Sequence, residues 1–326
     1  MSNVFYSNAR AVVLEKALFG SERTKRLVEA ENLDEVFKIF SEVNFGGDKA
    51  FEDKIDAEEI INRETSELLS FIKTVSPDEN IKKVILYPYD FRNAEAIVKA
   101  KFLKIEYESL LSPNGVFDVK FLKEKIFEDE YGAFPKELAK ALNLADAAFV
   151  EKKATGQFIN SLFTKALYDE LFSLKIKNGI LSEILNAKVD LLNVNIALRL
   201  RDYSNAKGYF LHYGNLKAED LQVFCEGSVE EIKTKFKFND LYPVVEHGLN
   251  YLENGKGFSE FEIVSENYPV IMLKKYKYSS EGILPFLRYC YYKFADIANA
   301  RLIAVGKAGG LSKEEISARL REHYEG

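Results

Sequence analysis

The sequence has no tryptophan, two cysteines and three histidines in 326 residues, and these scarcities remove several function classes at once. Cys225 and Cys290 sit in apolar or aromatic surroundings and share no CxxC spacing, so neither a disulfide framework nor a zinc site organises the chain. That usage fits a reducing compartment. His212, His247 and His323 are far apart and form no HExxH or paired spacing, which leaves little material for a zinc centre or a histidine acid/base. They read as surface or packing residues. No apolar run approaches ~18 residues, and Met1 to Lys16 carries charges where a secretory signal has its hydrophobic core. The chain is expected to be neither secreted nor membrane-spanning. An excess of one charge is also missing: 51 acidic against 45 basic residues give a net charge of -6, which argues against nucleic acid as a partner.

Catalytic and nucleotide motifs are missing as well. There is no GxSxG and no Cys/His constellation. Gly306-Lys307 lacks the preceding glycine of a phosphate loop, and Ala308 stands where Ser or Thr would bind magnesium. Val305 to Ser312 reads instead as a helix stop followed by a new cap at Ser312. Lys274-Lys275-Tyr276-Lys277-Tyr278 and Lys233 to Lys237 interleave bases and aromatics, a pattern that suits nucleic acid but here reads as solvated helix face, given the acidic total. No catalytic, cofactor-binding or metal-ligating residue is assigned.

What is present is apolar mass at helical spacing. With 47% apolar residues the chain can bury one large core or several small ones. Phe158, Leu162 and Ala166, with Ile159, Phe163, Leu167 and Leu171 beside them, form a stripe that predicts an amphipathic helix stopped at Asn178-Gly179. Helix starts are predicted at Ser76-Pro77-Asp78-Glu79, at Ser228 with Glu231, at Ser312 with Glu315 and at Asn32 with Glu35. Val270 to Tyr278 is the one strand candidate, and it lies between helical flanks. The fold class is all-α.

A repeat organises these helices. Asp90-x-x-Asn93, Asp190-x-x-Asn193 and Asp296-x-x-Asn299 recur 100 and 106 residues apart. Six to eight residues after each Asp the chain is apolar: Ala96, Ile97, Val98; Ile196, Ala197, Leu198; Leu302, Ile303, Ala304. Eleven residues after it the chain is basic: Lys101, Arg201, Lys307. Asp202-x-x-Asn205 matches the four-residue pattern but has Gly208, Tyr209, Phe210 and then Tyr213, so it drops out. Leu216 to Leu221 echoes Leu311 to Ile316, and Leu33 to Val36 echoes Val229 to Ile232. Three divergent units follow, 1–110, 111–215 and 216–326, divided by Ser112-Pro113-Asn114-Gly115 and Tyr213-Gly214-Asn215. On a helix, Asp at i and Asn at i+3 share one face, where they are expected to fix register by bonding to a neighbouring helix end. The alternative is three carboxylates converging on a cation.

The stretch Pro285-Phe-Leu-Arg-Tyr289-Cys-Tyr-Tyr-Lys293-Phe-Ala-Asp296-Ile-Ala-Asn299-Ala-Arg301-Leu-Ile303, with Gly306-Lys307, Gly310-Leu311 and a last helix to Tyr324, resembles the C-terminal signature of the C subunits of prokaryotic V/A-type ATPases, relatives of the eukaryotic d subunit. Tyr6 to Arg10 resembles the opening of that family, Leu33 to Gly47 its first helical hairpin, and Tyr89 to Lys101 and Val189 to Arg201 its first two motif copies. The resemblance spans nearly the whole chain. It departs in the third copy, where Asp296 replaces an expected glutamate and Phe294 a polar residue. The resemblance implies three helical bundles about a pseudo-threefold axis, forming a funnel with a central cavity. It implies a non-catalytic central-stalk rotor subunit without cofactors, cytoplasmic and peripheral to the membrane. Its partners would be the shaft subunits and the membrane proteolipid ring. Two rival readings are a metal-dependent all-α enzyme using Asp90, Asp190 and Asp296, and a soluble helical scaffold.

Overall fold

The computed structural model describes residues 4–47, 56–255 and 257–324. Its α-helices, in chain order, are α1 (Val4–Glu15), α2 (Gly20–Glu29), α3 (Leu33–Ser41), α4 (Ala57–Val75), α5 (Glu79–Leu103), α6 (Val119–Phe127), α7 (Lys136–Val150), α8 (Gly156–Ser173) and α9 (Gly179–Leu200). They continue with α10 (Tyr203–Ala206), α11 (Ala218–Glu226), α12 (Val229–Phe236), α13 (Tyr242–Asn254), α14 (Phe258–Lys274), α15 (Leu284–Ala308) and α16 (Lys313–Ser317). No strand occurs among the described residues, so the protein is all-α. The strand candidate Val270 to Tyr278 is instead the end of α14 and the turn after it, with Val270 and Leu273 buried one helical turn apart.

Two helix boundaries differ from the sequence reading, each for a local reason. Asp78, not Ser76, caps α5: its carboxylate accepts the N–H groups of Asn80 and Ile81, while Ser76 closes α4 by donating its own N–H to Ile72. Asn178-Gly179 opens α9 and does not close α8, because the Asn178 side chain accepts the Leu181 N–H. The chain leaves α8 earlier, where Lys175 takes a left-handed conformation (φ 48°). The starts at Ser228 and Ser312 are reciprocal capping boxes with Glu231 and Glu315, and the Asn32 side chain caps α3.

The helices pack into two compact units. The first gathers the described residues of 1–77, 197–203 and 216–326. Its axis is α15, against which α1, α4 and α14 lie. Phe286, Leu287, Ala300 and Ile303 of α15 are fully buried. Phe19, Phe40 and Phe45 form an aromatic knot with ring centroids 4.7–5.7 Å apart. Glu15 with Arg288 and Glu64 with Lys293 form buried ion pairs in this unit. The second unit gathers 78–196 and 204–215, with α5 packed on α6, α7 and α8. Tyr168, Val189 and Leu211 are buried together in it, and the Phe172 ring stacks on Tyr213 at 4.0 Å.

Candidate functional site

Asp90 and Asn93 lie on α5, Asp190 and Asn193 on α9, Asp296 and Asn299 on α15, and all six are at most 1% exposed. A buried amide must find partners for both its donor and its acceptor. Each Asn does so on a single residue of the chain that returns after the helix. Asn93 Nδ2 donates to the Ser112 carbonyl (2.7 Å) and its Oδ1 accepts the Ser112 N–H (2.9 Å). Asn193 does the same with Leu211 (3.1 and 2.8 Å), and Asn299 with Arg321 (3.0 and 2.8 Å). The side-chain amide imitates a strand edge and locks the returning segment against the long helix.

The Asp residues hold the segment that opens a further helix. Asp90 accepts the N–H groups of Val116 (2.8 Å) and Phe117 (3.0 Å), just ahead of α6. Asp190 accepts the Asn215 N–H on both oxygens at 3.0 Å, just ahead of α11. Close approach needs glycine here, since a Cβ on Gly115 or Gly214 would run into the Asp90 or Asp190 carboxylate. Gly214 also sits at φ +99°.

The basic residue eleven positions on completes the device by capping the end of the helix that the Asp introduces. Lys101 donates to the Ile126 carbonyl of α6 (3.2 Å) and also meets Asp129 and the Tyr131 hydroxyl. Arg201 donates to the Phe224 and Gly227 carbonyls at the end of α11, both at 2.7 Å. Lys307 donates to the Val28 and Ala30 carbonyls at the end of α2, at 2.7 and 2.5 Å. A cation at a helix C-terminus satisfies orphan carbonyls and opposes the negative end of the dipole.

In the third copy the chain order is broken. The helix served by α15 is α2, near the start of the chain, and Asp296 Oδ2 accepts the Phe19 N–H at 2.8 Å. The echo between Leu33 to Val36 and Val229 to Ile232 fits this placement, because α3 follows α2 as α12 follows α11. The echo between Leu216 to Leu221 and Leu311 to Ile316 does not, because α16 precedes the Arg321 pairing whereas α11 follows the Leu211 pairing.

Asp296 differs electrostatically. One oxygen is bonded and the other, Oδ1, is buried without a hydrogen-bond partner. Burial pushes its carboxyl up to about 7, with Glu64 adding to the rise and Lys293, the Phe19 N–H and Arg23 opposing it. A carboxyl raised from an ordinary value of 3.8 binds its proton more tightly folded than unfolded, so its stabilising contribution is complete below 3.8 and lost as pH climbs to about 7. In melts of wild type and Asp296→Asn, the wild-type advantage should therefore shrink from pH 4 to pH 7 and level off above, a trend that a pH-independent difference would contradict.

None of these carboxylates is arranged as a metal site: among the described residues no three His, Cys, Asp or Glu side chains lie close enough to hold one ion. His212, His247 and His323 join no such group either. Cys225 and Cys290 are buried free thiols, and burial raises both above their ordinary value. The basic residue of each copy was visible in the sequence without a role, Gly115 and Gly214 were visible only as turn residues between units, and Phe19 carried no signal there.

The geometry defines a class: an all-helical repeat protein whose recurring buried polar residues hold returning segments and helix ends in place. The family of the ATP synthase (C/AC39) subunit matches residues 7–319, and the chain belongs to it. The C subunit of the V-type sodium ATPase of Enterococcus hirae is 20% identical over 324 residues, covering 95% of this chain and 96% of that one. The C subunit of the A-type ATP synthase of Methanocaldococcus jannaschii is 27% identical over 129 residues, 36% of this chain and 32% of that one. The chain is thus a structural subunit of a V/A-type ATPase, not a catalytic one, and works with other subunits of that complex. No helix among the described residues is long and apolar enough to cross a membrane.

Proposed function

We propose that this protein is the socket of the central stalk. It sits on the membrane proteolipid ring, receives the foot of the rotating shaft and passes torque between proton or sodium flow and ATP turnover. The family match across residues 7–319 is the observation that carries this reading. The three staples support it, because a torque-bearing part needs helices that cannot slide, and each staple fixes a long helix to two further stretches of chain. In this reading the units 1–110, 111–215 and 216–326 surround a pseudo-threefold axis and enclose a cavity that admits the shaft. The protein is then cytoplasmic and held at the membrane surface by its partners. The isolated chain is expected to show no ATP turnover, and a tagged chain drawn from solubilised membranes is expected to bring shaft and proteolipid subunits with it. Recovery with soluble partners alone would favour a free scaffold.

A further inference from the structure

Helix α1 is amphipathic the wrong way round. Ser7, Ala11 and Glu15, spaced one turn apart, form its buried face. Ser7 Oγ donates to the Val75 carbonyl (2.5 Å), Glu15 accepts from Arg288 Nε (2.8 Å), and the neighbouring Asn8 Nδ2 donates to the Gly282 carbonyl (2.8 Å). The outer face carries the large apolar side chains: Phe5 is 88% exposed, Val13 65%, Tyr6 50% and Val12 47%. At 100° per residue these positions, with Ala9 and Arg10, form one continuous stripe, and Lys16 follows directly after the helix. Surface helices ordinarily turn such residues inward, and a contiguous exposed apolar face marks a surface that something else covers.

The charge on that face has one sign. Arg10 and Lys16 are exposed and have no ion-pair partner among the described residues, and the one carboxylate of α1, Glu15, is buried. Arg288 joins α1 to the turn after α14, since the guanidinium that pairs with Glu15 also donates to the Tyr276 and Ser279 carbonyls at 3.2 Å. That turn carries Lys275 and Lys277, again without ion-pair partners among the described residues, and Tyr278, 90% exposed with the Lys277 ammonium 4.8 Å from its ring centre. Glu281 follows as the one carboxylate of the turn.

We infer that the outer face of α1 and the 275–278 turn together form a docking surface for an anionic phospholipid headgroup layer. Phe5, Val12 and Val13 enter the boundary between headgroups and acyl chains, Tyr6 and Tyr278 lie at the interface where amphipathic rings are favoured, and Arg10, Lys16, Lys275 and Lys277 meet lipid phosphates. Bases alone would suit nucleic acid and apolar residues alone a protein groove. A lipid surface satisfies both with one occupant, and the excess of positive charge, Arg10, Lys16, Lys275 and Lys277 against Glu281, is complementary to it.

The test is flotation of the purified full-length chain with vesicles of phosphatidylcholine alone or with about 30% phosphatidylserine, at low and high salt. Wild type should float with the anionic vesicles and dissociate as salt rises. Replacing Arg10, Lys16, Lys275 and Lys277 by Gln should weaken binding about fivefold per charge removed. Phe5→Ser with Val13→Ser should abolish flotation while leaving the melting curve unchanged, because both side chains are exposed. Absence of flotation, or flotation that neither set of variants alters, would overturn the inference. So would a dimer in sedimentation that Phe5→Ser and Val13→Ser dissolve, which would make a second copy the occupant. Because vesicles alone are the probe, these outcomes do not depend on whether the chain joins a proteolipid ring.

Discussion

Lys293→Met should destabilise the unit built on α15 by about 3–5 kcal/mol, read as a shift in its urea midpoint. The Lys293 ammonium meets Glu64 with both side chains only 6% exposed, and Glu64 also accepts the Gly46 N–H at 2.5 Å. The ammonium lies 4.9 Å from the centre of the Phe45 ring, inside the aromatic knot. Removing it leaves a carboxylate in an apolar site with its charge uncompensated, and the loss of that compensation outweighs the modest net value of an intact buried pair. Adding Glu64→Gln should restore most of the stability, because glutamine keeps an acceptor for Gly46 and carries no charge. A single variant within about 1 kcal/mol of wild type would show that water reaches Glu64 and that the pair does not anchor α4 to α15.

Asn193→Ala tests the staples where both hydrogen bonds of the pairing are buried. It removes two hydrogen bonds and leaves the N–H and carbonyl of Leu211, a residue only 6% exposed, without partners. At about 1–3 kcal/mol for each of the two orphaned groups, the expected loss is roughly 2–6 kcal/mol. Asn193→Asp should fare no better, since the carboxylate keeps the acceptor, loses the donor and adds a buried charge. Amide exchange should locate the effect, with faster exchange at Leu211 and Asn215 and little change around α15. Uniform loosening of the chain would argue against a local staple.

The fold class was readable because helix signals are local. Ser228 with Glu231 and Ser312 with Glu315 carry their own caps, and three apolar stripes follow Asp-x-x-Asn at a fixed offset. The staples were only half readable, for the same reason. The offsets within a long helix repeat, so Asp90, Asn93 and Lys101 could be aligned with their counterparts. Their partners are backbone groups, which any sequence supplies, so nothing at Ser112 or Leu211 advertises the pairing. In the third copy the partner of Asp296 is Phe19, 277 residues away, and the Arg288–Glu15 contact spans 273. The helix boundary at Lys175 was misread because a lysine in left-handed conformation leaves no compositional trace. The inverted polarity of α1 was likewise hidden, since an amphipathic pattern gives the stripe and not the side on which the protein lies.

The central claim is that this chain couples shaft to ring and does no chemistry of its own. Native mass spectrometry of the complex purified through this chain from solubilised membranes tests it most directly. The predicted result is one copy of the chain, free of bound metal, together with shaft subunits and the intact proteolipid ring. A chain recovered without either, or carrying a stoichiometric metal ion that is lost when Asp90, Asp190 and Asp296 are replaced by Asn, would contradict it.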